Sequence, residues 1–541
     1  MKWGWRLGVL ALLLVGCAPV SQVTLRELNE ELALLDPQEQ MDMLRQKSSV
    51  DRIGDAVRLE GTEPVALSWY SLVVGLGTNG TRDVPDWQIE PDVMLRNELL
   101  KRLYVSGFSG SATEIMRSLD SAPVSVTALV PPLARANDRV DVHVEAIGGN
   151  TRSLRGGLLV TTPLRQVVGY GGGRPSYGNV WAEAEGKLTL SAGRLAFDEG
   201  GMVNELVAHV PGGSSCQVNG FLGLRLQRPN AYAARLTEIA LNERFPNCAQ
   251  LLSRQAVRVV VPGYYRDEWQ HFAQVVQEVR CRLPRGRPLR SYISALVEDL
   301  HGDDPVLARQ AALKLEAVGP EAVPALEGSL RSPRPAVRLA AATALAAMRE
   351  PAGILPLTNI IDTSTDDAER RSAAQFLNFY TQRNVRDYQK KLLADRDPEV
   401  RYRALLGLER TQEEGAFAVH ETAGEGNFRI TRVASVGSPA LVVKARNPRR
   451  LVLFGEPVSL RPPFTQSQLG DLTLEARDSS KVTILYRVYN QPNELPIRSM
   501  ELMDLVRGLD KINVTINDIM DLIFKLSRAD AINGEVLFLD E

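Results

Sequence analysis

Alternation of apolar and polar residues dominates the first half of the chain. In Arg139-Val140-Asp141-Val142-His143-Val144-Glu145 the valines fall on one side of a strand and the ionisable residues on the other, as in a sheet with one wet face. His143 is accordingly expected on the solvent face, as a solvated side chain and not a ligand. The strand signal runs from 51 to 285 and is broken by one clear helical stretch over 233–245, where Leu236, Ile239 and Ala240 share a side. Two-layer α+β packing follows for this region. Between 293 and 412 the period changes, strand signal fades, and Ala, Leu and Arg accumulate. Segments opening at Pro305, Pro335, Asp367 and Pro398 recur at spacings of 30, 32 and 31 residues, which predicts a helical solenoid. From 414 to 541 alternation returns in Val482-Thr-Ile-Leu-Tyr-Arg-Val-Tyr, followed by two helices. The second has a Thr515/Asp518 capping box, a stripe of Ile519, Leu522, Ile523 and Leu526, and Gly534 before a last strand over 535–539.

Each solenoid unit resembles a short HEAT-type repeat. Pro or Asp opens a helix where a missing or capped N–H costs little, alanines let helices approach, and leucines supply a shared core. Because a solenoid buries its core between its own repeats, the region reads as an arm that touches the rest mainly at its ends. Arg309, Arg338, Arg370 and Arg401 recur with the repeat. They could line a surface for an acidic protein partner, or they could be the ordinary solvated charge of an outer face.

The chain opens with Lys2 and Arg6, an apolar run over 7–15, and Leu14-Val15-Gly16-Cys17. The run is about half of the ~20 residues a spanning helix needs, so 1–17 reads as a lipoprotein export signal whose removal leaves Cys17 lipidated. Cleavage after Ala18 is the alternative. Ala18 lacks the acidic character associated with inner-membrane retention, which points to the outer membrane. Over 18–50, Thr24-Leu25-Arg26-Glu27 reads as a capping box, with Leu25, Leu28, Leu32 and Leu35 at helical spacing.

Composition narrows the function further. Lys and Arg total 63 against 65 Asp and Glu among 541 residues, so no bulk charge draws the chain to nucleic acid, which is an unexpected partner. Export allows disulfides, but Cys216, Cys248 and Cys281 cannot all pair within one chain. A Cys216–Cys248 bridge and buried unpaired thiols both stay open. The five histidines are scattered and no C-x-x-C occurs, so no metal is expected. Gly75-Leu76-Gly77-Thr78-Asn79-Gly80 is a literal G-x-G-x-x-G, yet Thr81-Arg82-Asp83-Val84-Pro85 continues as a polar loop and opens no helix. It reads as tight turns, not as a dinucleotide cradle. No G-x-S-x-G elbow or other catalytic constellation is visible, and neither an enzyme nor a cofactor is expected.

The block over 126–164 holds a strand, the corner Pro131-Pro132-Leu133-Ala134-Arg135, an alternating strand, and Ser153-Leu154-Arg155-Gly156-Gly157 leading into an apolar strand. It resembles the bacterial flagellar P-ring protein family. The resemblance starts near Asp51-Arg52-Ile53 and runs through Leu72-Val73-Val74-Gly75 and Gly178-Asn179-Val180-Trp181 to Val257-Arg258-Val259-Val260-Val261-Pro262. It resumes at Arg450-Leu451-Val452-Leu453-Phe454-Gly455-Glu456, in Gly470-Asp471-Leu472, and over 517–539. The fold this implies is α+β, a strand-rich multidomain body in two parts (51–285 and 414–541) with the all-α HEAT-like solenoid inserted at 293–412. The function it implies is structural: a periplasmic ring of like subunits around the flagellar rod at the peptidoglycan layer, beside L-ring-like proteins, with the outer membrane reached through the Cys17 lipid anchor. Arg155, beside two glycines at a strand start, is expected to be fixed by a carboxylate or carbonyls, within or between subunits. P-ring proteins generally have an ordinary cleaved signal and no solenoid between their halves. The alternative is therefore a lipid-anchored periplasmic adaptor that binds a protein partner through its repeats.

Overall fold

The computed structural model describes residues 52–80, 101, 119–147, 151–171, 174–190, 205–281, 288–412, 415, 418–423, 428–444, 449–455, 457–468, 472–488, 491–512, 514 and 516–539. Cys17, the expected helix over 18–50 and Thr515 lie outside them.

Strand β1 (Val57–Glu60) is followed by β2 (Val65–Val74), β3 (Ser121–Val130), β4 (Arg139–Ala146), β5 (Leu158–Gly171), β6 (Arg174–Lys187), β7 (Thr189–Leu190) and β8 (Val207–Cys216). Strands β2 to β8 form one sheet in the order β4-β3-β2-β5-β6-β8-β7, and an additional pairing of β4 with β8 closes it into a barrel. Closure removes the open edges that such a sheet would otherwise expose. The interior is filled by small and β-branched side chains, among them Val124, Val126, Val140, Val142, Val144, Ala182, Ala184 and Ala208. The valine face of β4 is thus the barrel lining, as its alternation predicts.

The segment 51–285 does not form one body. β1 leaves the barrel strands and joins β9 (Leu222–Leu226), β10 (Ala249–Ser253) and β11 (Ala256–Val259) in a four-stranded antiparallel sheet ordered β1-β9-β11-β10. Among the described residues this sheet belongs to a unit of 52–60 and 222–291, while those of 61–221 cluster with those of 292–541. Two helices accompany it, α1 (Ala231–Arg244) and α2 (Trp269–Glu278). Asn230 caps α1 by accepting the Ala233 N–H at 3.0 Å. The face α1 buries is Ala234, Thr237, Ala240 and Leu241, not Leu236 and Ile239. Small side chains allow the close approach there, a choice that hydrophobicity alone does not reveal. Phe245, Tyr265 and Phe272 pack together with ring centroids 5.1 to 5.9 Å apart.

Helices then follow without interruption: α3 (Leu289–Leu300), α4 (Pro305–Val318), α5 (Val323–Ser329), α6 (Pro335–Ala347), α7 (Ile354–Thr363), α8 (Asp367–Leu377), α9 (Arg383–Leu392) and α10 (Pro398–Arg410). The repeated Pro or Asp sits at the first helical position of α4, α6, α8 and α10. Asp304, Asp366 and Asp397 precede three of these helices and accept N–H groups of the first turn.

The C-terminal part is built on β12 (Ala418–Ala423), β13 (Phe428–Val433), β14 (Ala440–Lys444), β15 (Arg449–Phe454), the short β16 (Ser459–Leu460), β17 (Phe464–Gln468), β18 (Leu472–Ala476), β19 (Val482–Val488) and β20 (Gln491–Ile497). α11 (Leu502–Lys511), α12 (Ile516–Arg528), β21 (Ile532–Asn533) and β22 (Glu535–Leu539) complete it. A five-stranded sheet runs β12-β13-β15-β14-β22, with β13–β15 and β14–β22 parallel. Its residues alternate between two cores. Leu441, Val443, Leu451 and Leu453 join Ile519, Leu522, Ile523 and Leu526 of α12 on one face. Val433, Val442, Val452 and Phe454 join Leu377, Leu405 and Leu408 of the helical run on the other. The helical run meets this sheet through its last helix, α10, and shares an apolar core with it there. A sheet buried on both faces reads as a near-continuous apolar run, as Leu451-Val452-Leu453-Phe454 does.

Candidate functional site: an arginine clasp beside a histidine cleft

Two consecutive arginines open β15, and side chains of consecutive strand residues point to opposite faces. Arg449 reaches the barrel, donating to Asp141 of β4 at 2.7 Å. Arg450 reaches the last repeat helix, where its guanidinium grips both carboxylate oxygens of Glu409 and also donates to Thr431 Oγ1 at 2.9 Å. Arg450 is nearly buried, with 7% of its side chain exposed against 16% for Glu409. A planar guanidinium suits such a two-pronged contact better than an ammonium would. One strand start thus ties the C-terminal sheet to the barrel and to the helical run.

Asp141 is held from a second side. Opposite the single residue between Val140 and Val142, β8 places the three residues Pro211, Gly212 and Gly213. At this bulge Gly212 takes φ +56° and donates its N–H to Asp141 Oδ1 at 2.8 Å. Asp141, Arg449, His143, His209, Tyr177 and Ile516 line a cleft of about 480 Å³ between the barrel wall and the C-terminal part. His143 and His209 are cross-strand partners whose rings lie 4.9 Å apart between centroids. Burial lowers the pKa of His143, with the Glu145 charge acting the other way. Burial, then the His143 neighbour, takes His209 down to about 4, against the pull of Asp141. His143 is therefore not a freely solvated residue, because the C-terminal part roofs the barrel face on which its alternation places it.

The other residues singled out from the sequence fall in different places. Arg155 bonds Glu205 at 2.8 Å, but 49% of its side chain is exposed, so this is a surface pair and not a buried one. The repeated arginines do not form a surface row. Arg309 is exposed and bonds the Pro305 carbonyl of its own helix; Arg338 donates to the carbonyls of Ser332 and Pro333. Arg370 is buried, forked onto Asp395 at 2.6 and 2.8 Å and bonded to the Ile361 carbonyl. Arg401 is buried too, donating to the Asp395 carbonyl, to Ser438 O at 2.5 Å and to Ser438 Oγ at 3.2 Å. Burial lowers its pKa, with Asp395 and Glu535 acting oppositely. Arg338, Arg370 and Arg401 satisfy carbonyls at the turns and helix ends between repeats, whereas the exposed Arg309 does not. The Cys216–Cys248 bridge does not form: both thiols are free and buried, Cys216 in the barrel and Cys248 in the other unit. Burial pushes them up to about 11 and about 12 respectively.

Sequence reasoning missed the clasp, although Arg-Arg at a strand start was the available signal. In the glycine loop, Gly75 and Gly77 take φ +78° and +64°, and a Cβ on Gly80 would sit 2.3 Å from the Leu119 carbonyl oxygen. These are turn glycines. Among the described residues no group of three or more His, Cys, Asp or Glu is placed to hold a metal, and no helix is long and apolar enough to cross a membrane.

Residues 52–286 match the family "Flagellar P-ring protein", and residues 293–378 match HEAT repeats. The flagellar P-ring protein of Nitrosospira multiformis is 34% identical over 221 residues, covering 39% of this chain and 55% of that protein. That of Pseudomonas entomophila (strain L48) is 32% identical over 224 residues, covering 39% and 57%. The chain thus spans little more than half the length of these relatives. A chain of the CpcE–CpcF phycocyanin lyase complex from Nostoc sp. PCC7120 aligns over 23% of this chain and 79% of its own, with 21% identity and a TM-score of 0.21.

Proposed function

We propose that this chain is a structural subunit of a P-ring-like periplasmic ring, surrounding the flagellar rod at the peptidoglycan layer and acting by self-association without a catalytic step. The observation that carries the reading is the match of 52–286 to the P-ring family, a span that includes the whole closed barrel. A ring of like subunits requires a heterologous interface, one surface of each copy meeting a different surface of the next. The rod on the inside, L-ring-like proteins towards the outer membrane and peptidoglycan around the rim are the partners of such a part. Arg155 is a candidate interface residue, since its guanidinium is half exposed. The ion pairs and shared cores of 61–221 and 292–541 favour a rigid body, which suits a bushing. The lipid anchor at Cys17 belongs to the same proposal: Cys17→Ser is expected to move the chain from the membrane fraction to the soluble periplasm.

The deciding experiment is purification of hook-basal bodies from the parent organism. The chain is expected to co-purify with them in a fixed ratio to rod proteins. Its absence from basal bodies of a motile strain that expresses it overturns the ring in favour of an adaptor working through its HEAT-like helices.

A further inference from the structure

We propose that His143 and His209 form an acid-triggered latch, which on taking up protons displaces Arg449 from Asp141 and opens the cleft between the barrel and the C-terminal part. The latch does not depend on whether the chain builds a ring.

The geometry carries the inference. Two imidazoles face each other across neighbouring strands with centroids 4.9 Å apart, in the wall of a cleft whose rim is the Asp141–Arg449 pair. Among the described residues β4 contributes Asp141 and Glu145, β15 contributes Arg449, and β6 contributes the Tyr177 phenol; the described lining from β2, β3, β5, β7 and α12 brings no ionisable side chain. One imidazolium formed here repels its neighbour and Arg449, and competes with Arg449 for Asp141. A second leaves three cations at Asp141, with the Glu145 charge acting on His143 alone. Opening the cleft returns water to both rings and relieves that arrangement.

The direction follows from linkage. Burial lowers the proton affinity of both rings in the closed state, so the open state binds more protons and acid favours it. The closed state is unaffected well above the ordinary imidazole value of about 6.5, where the rings are neutral in both states. It weakens as pH falls towards about 4, where His209 titrates in the closed state, and little further loss from His209 follows below that. An imidazole that regains its ordinary pKa of about 6.5 on opening shifts the closed-to-open ratio by up to roughly 300-fold over this window.

Hydrogen exchange of the full chain at pH 7 and pH 4.5, corrected for intrinsic rates, tests the latch. Protection over 139–146 and 449–454 is expected to fall in acid by roughly tenfold or more beyond any loss in α6 to α8, a figure well inside that ceiling. The double variant His143→Gln/His209→Gln is expected to keep its protection in acid. The idea is overturned if the double variant opens in acid like the parent, or if the parent loses protection evenly across the chain. Should the variant fold poorly, histidine ring signals followed by NMR in the parent decide the question. Both rings titrating near their ordinary value in the folded chain would exclude the latch.

Discussion

Arg155 and Arg401 each hold oxygen with a guanidinium, and burial separates what they contribute. Arg155 pairs with Glu205 where both side chains are more than a third exposed, so the pair contributes about 0.2–1 kcal/mol at most. Arg155→Ala is expected to shift the urea midpoint only slightly; a loss of assembly in a variant that folds normally would assign the residue to an interface. Arg401 is 1% exposed and bridges the turn at Asp395 to Ser438 before β14. Gly437 allows this, since a Cβ there would come within 2.9 Å of the guanidinium. Arg401→Ala leaves two carbonyls without their donor and opens a cavity, for an expected loss of about 2–4 kcal/mol, measured by chemical denaturation. The recurring arginine was visible in the sequence, but its direction was not, because an exposed row and an internal one have the same spacing.

At the scale of elements, the helical run and the five-stranded sheet share one core. Val433, Val442, Val452 and Phe454 on the sheet belong to the same buried cluster as Leu377, Leu405 and Leu408 on the helices. Replacing 293–412 by a Gly-Ser linker would bare that apolar face to water, and exposed patches of this kind drive association. The remainder is expected to aggregate or be degraded; a monodisperse peak on size exclusion with native β-sheet circular dichroism would show the helices to be dispensable. The solenoid itself was legible from the period of Pro305, Pro335, Asp367 and Pro398, since helix starts have chemical signatures. Its docking was legible only indirectly. The unbroken apolar run over 451–454 signals a strand covered on both faces, yet names neither cover. Likewise the alternation in β4 identified the barrel lining, while the wet face of that strand holds His143 and Asp141 under the C-terminal part, a contact between residues distant in sequence.

In the whole molecule, the unit of residues 61–221 and 292–541 holds together through the shared core and the clasp on β15. The helical run reaches the sheet through Arg450, whose partner Glu409 is itself mostly buried. Removing the cation leaves that carboxylate without its charge partner, and breaking such a pair costs about 3–5 kcal/mol. Arg450→Ala is therefore expected to loosen the joint and not merely lower stability uniformly. Calorimetry of the parent should give one cooperative transition for the helical run's last repeats and the sheet, because these share one core, while the barrel keeps a core of its own. In Arg450→Ala the helical run is expected to melt first, splitting the transition and leaving a sheet and barrel that unfold later. Arg450→Met, which keeps the bulk but not the charge, is expected to behave like the alanine variant when combined with intact Glu409, and to recover part of the loss with Glu409→Gln. A single unsplit transition in both variants, lowered by less than about 1 kcal/mol, would mean that the shared core alone joins the helices to the sheet and that the ion pair adds little.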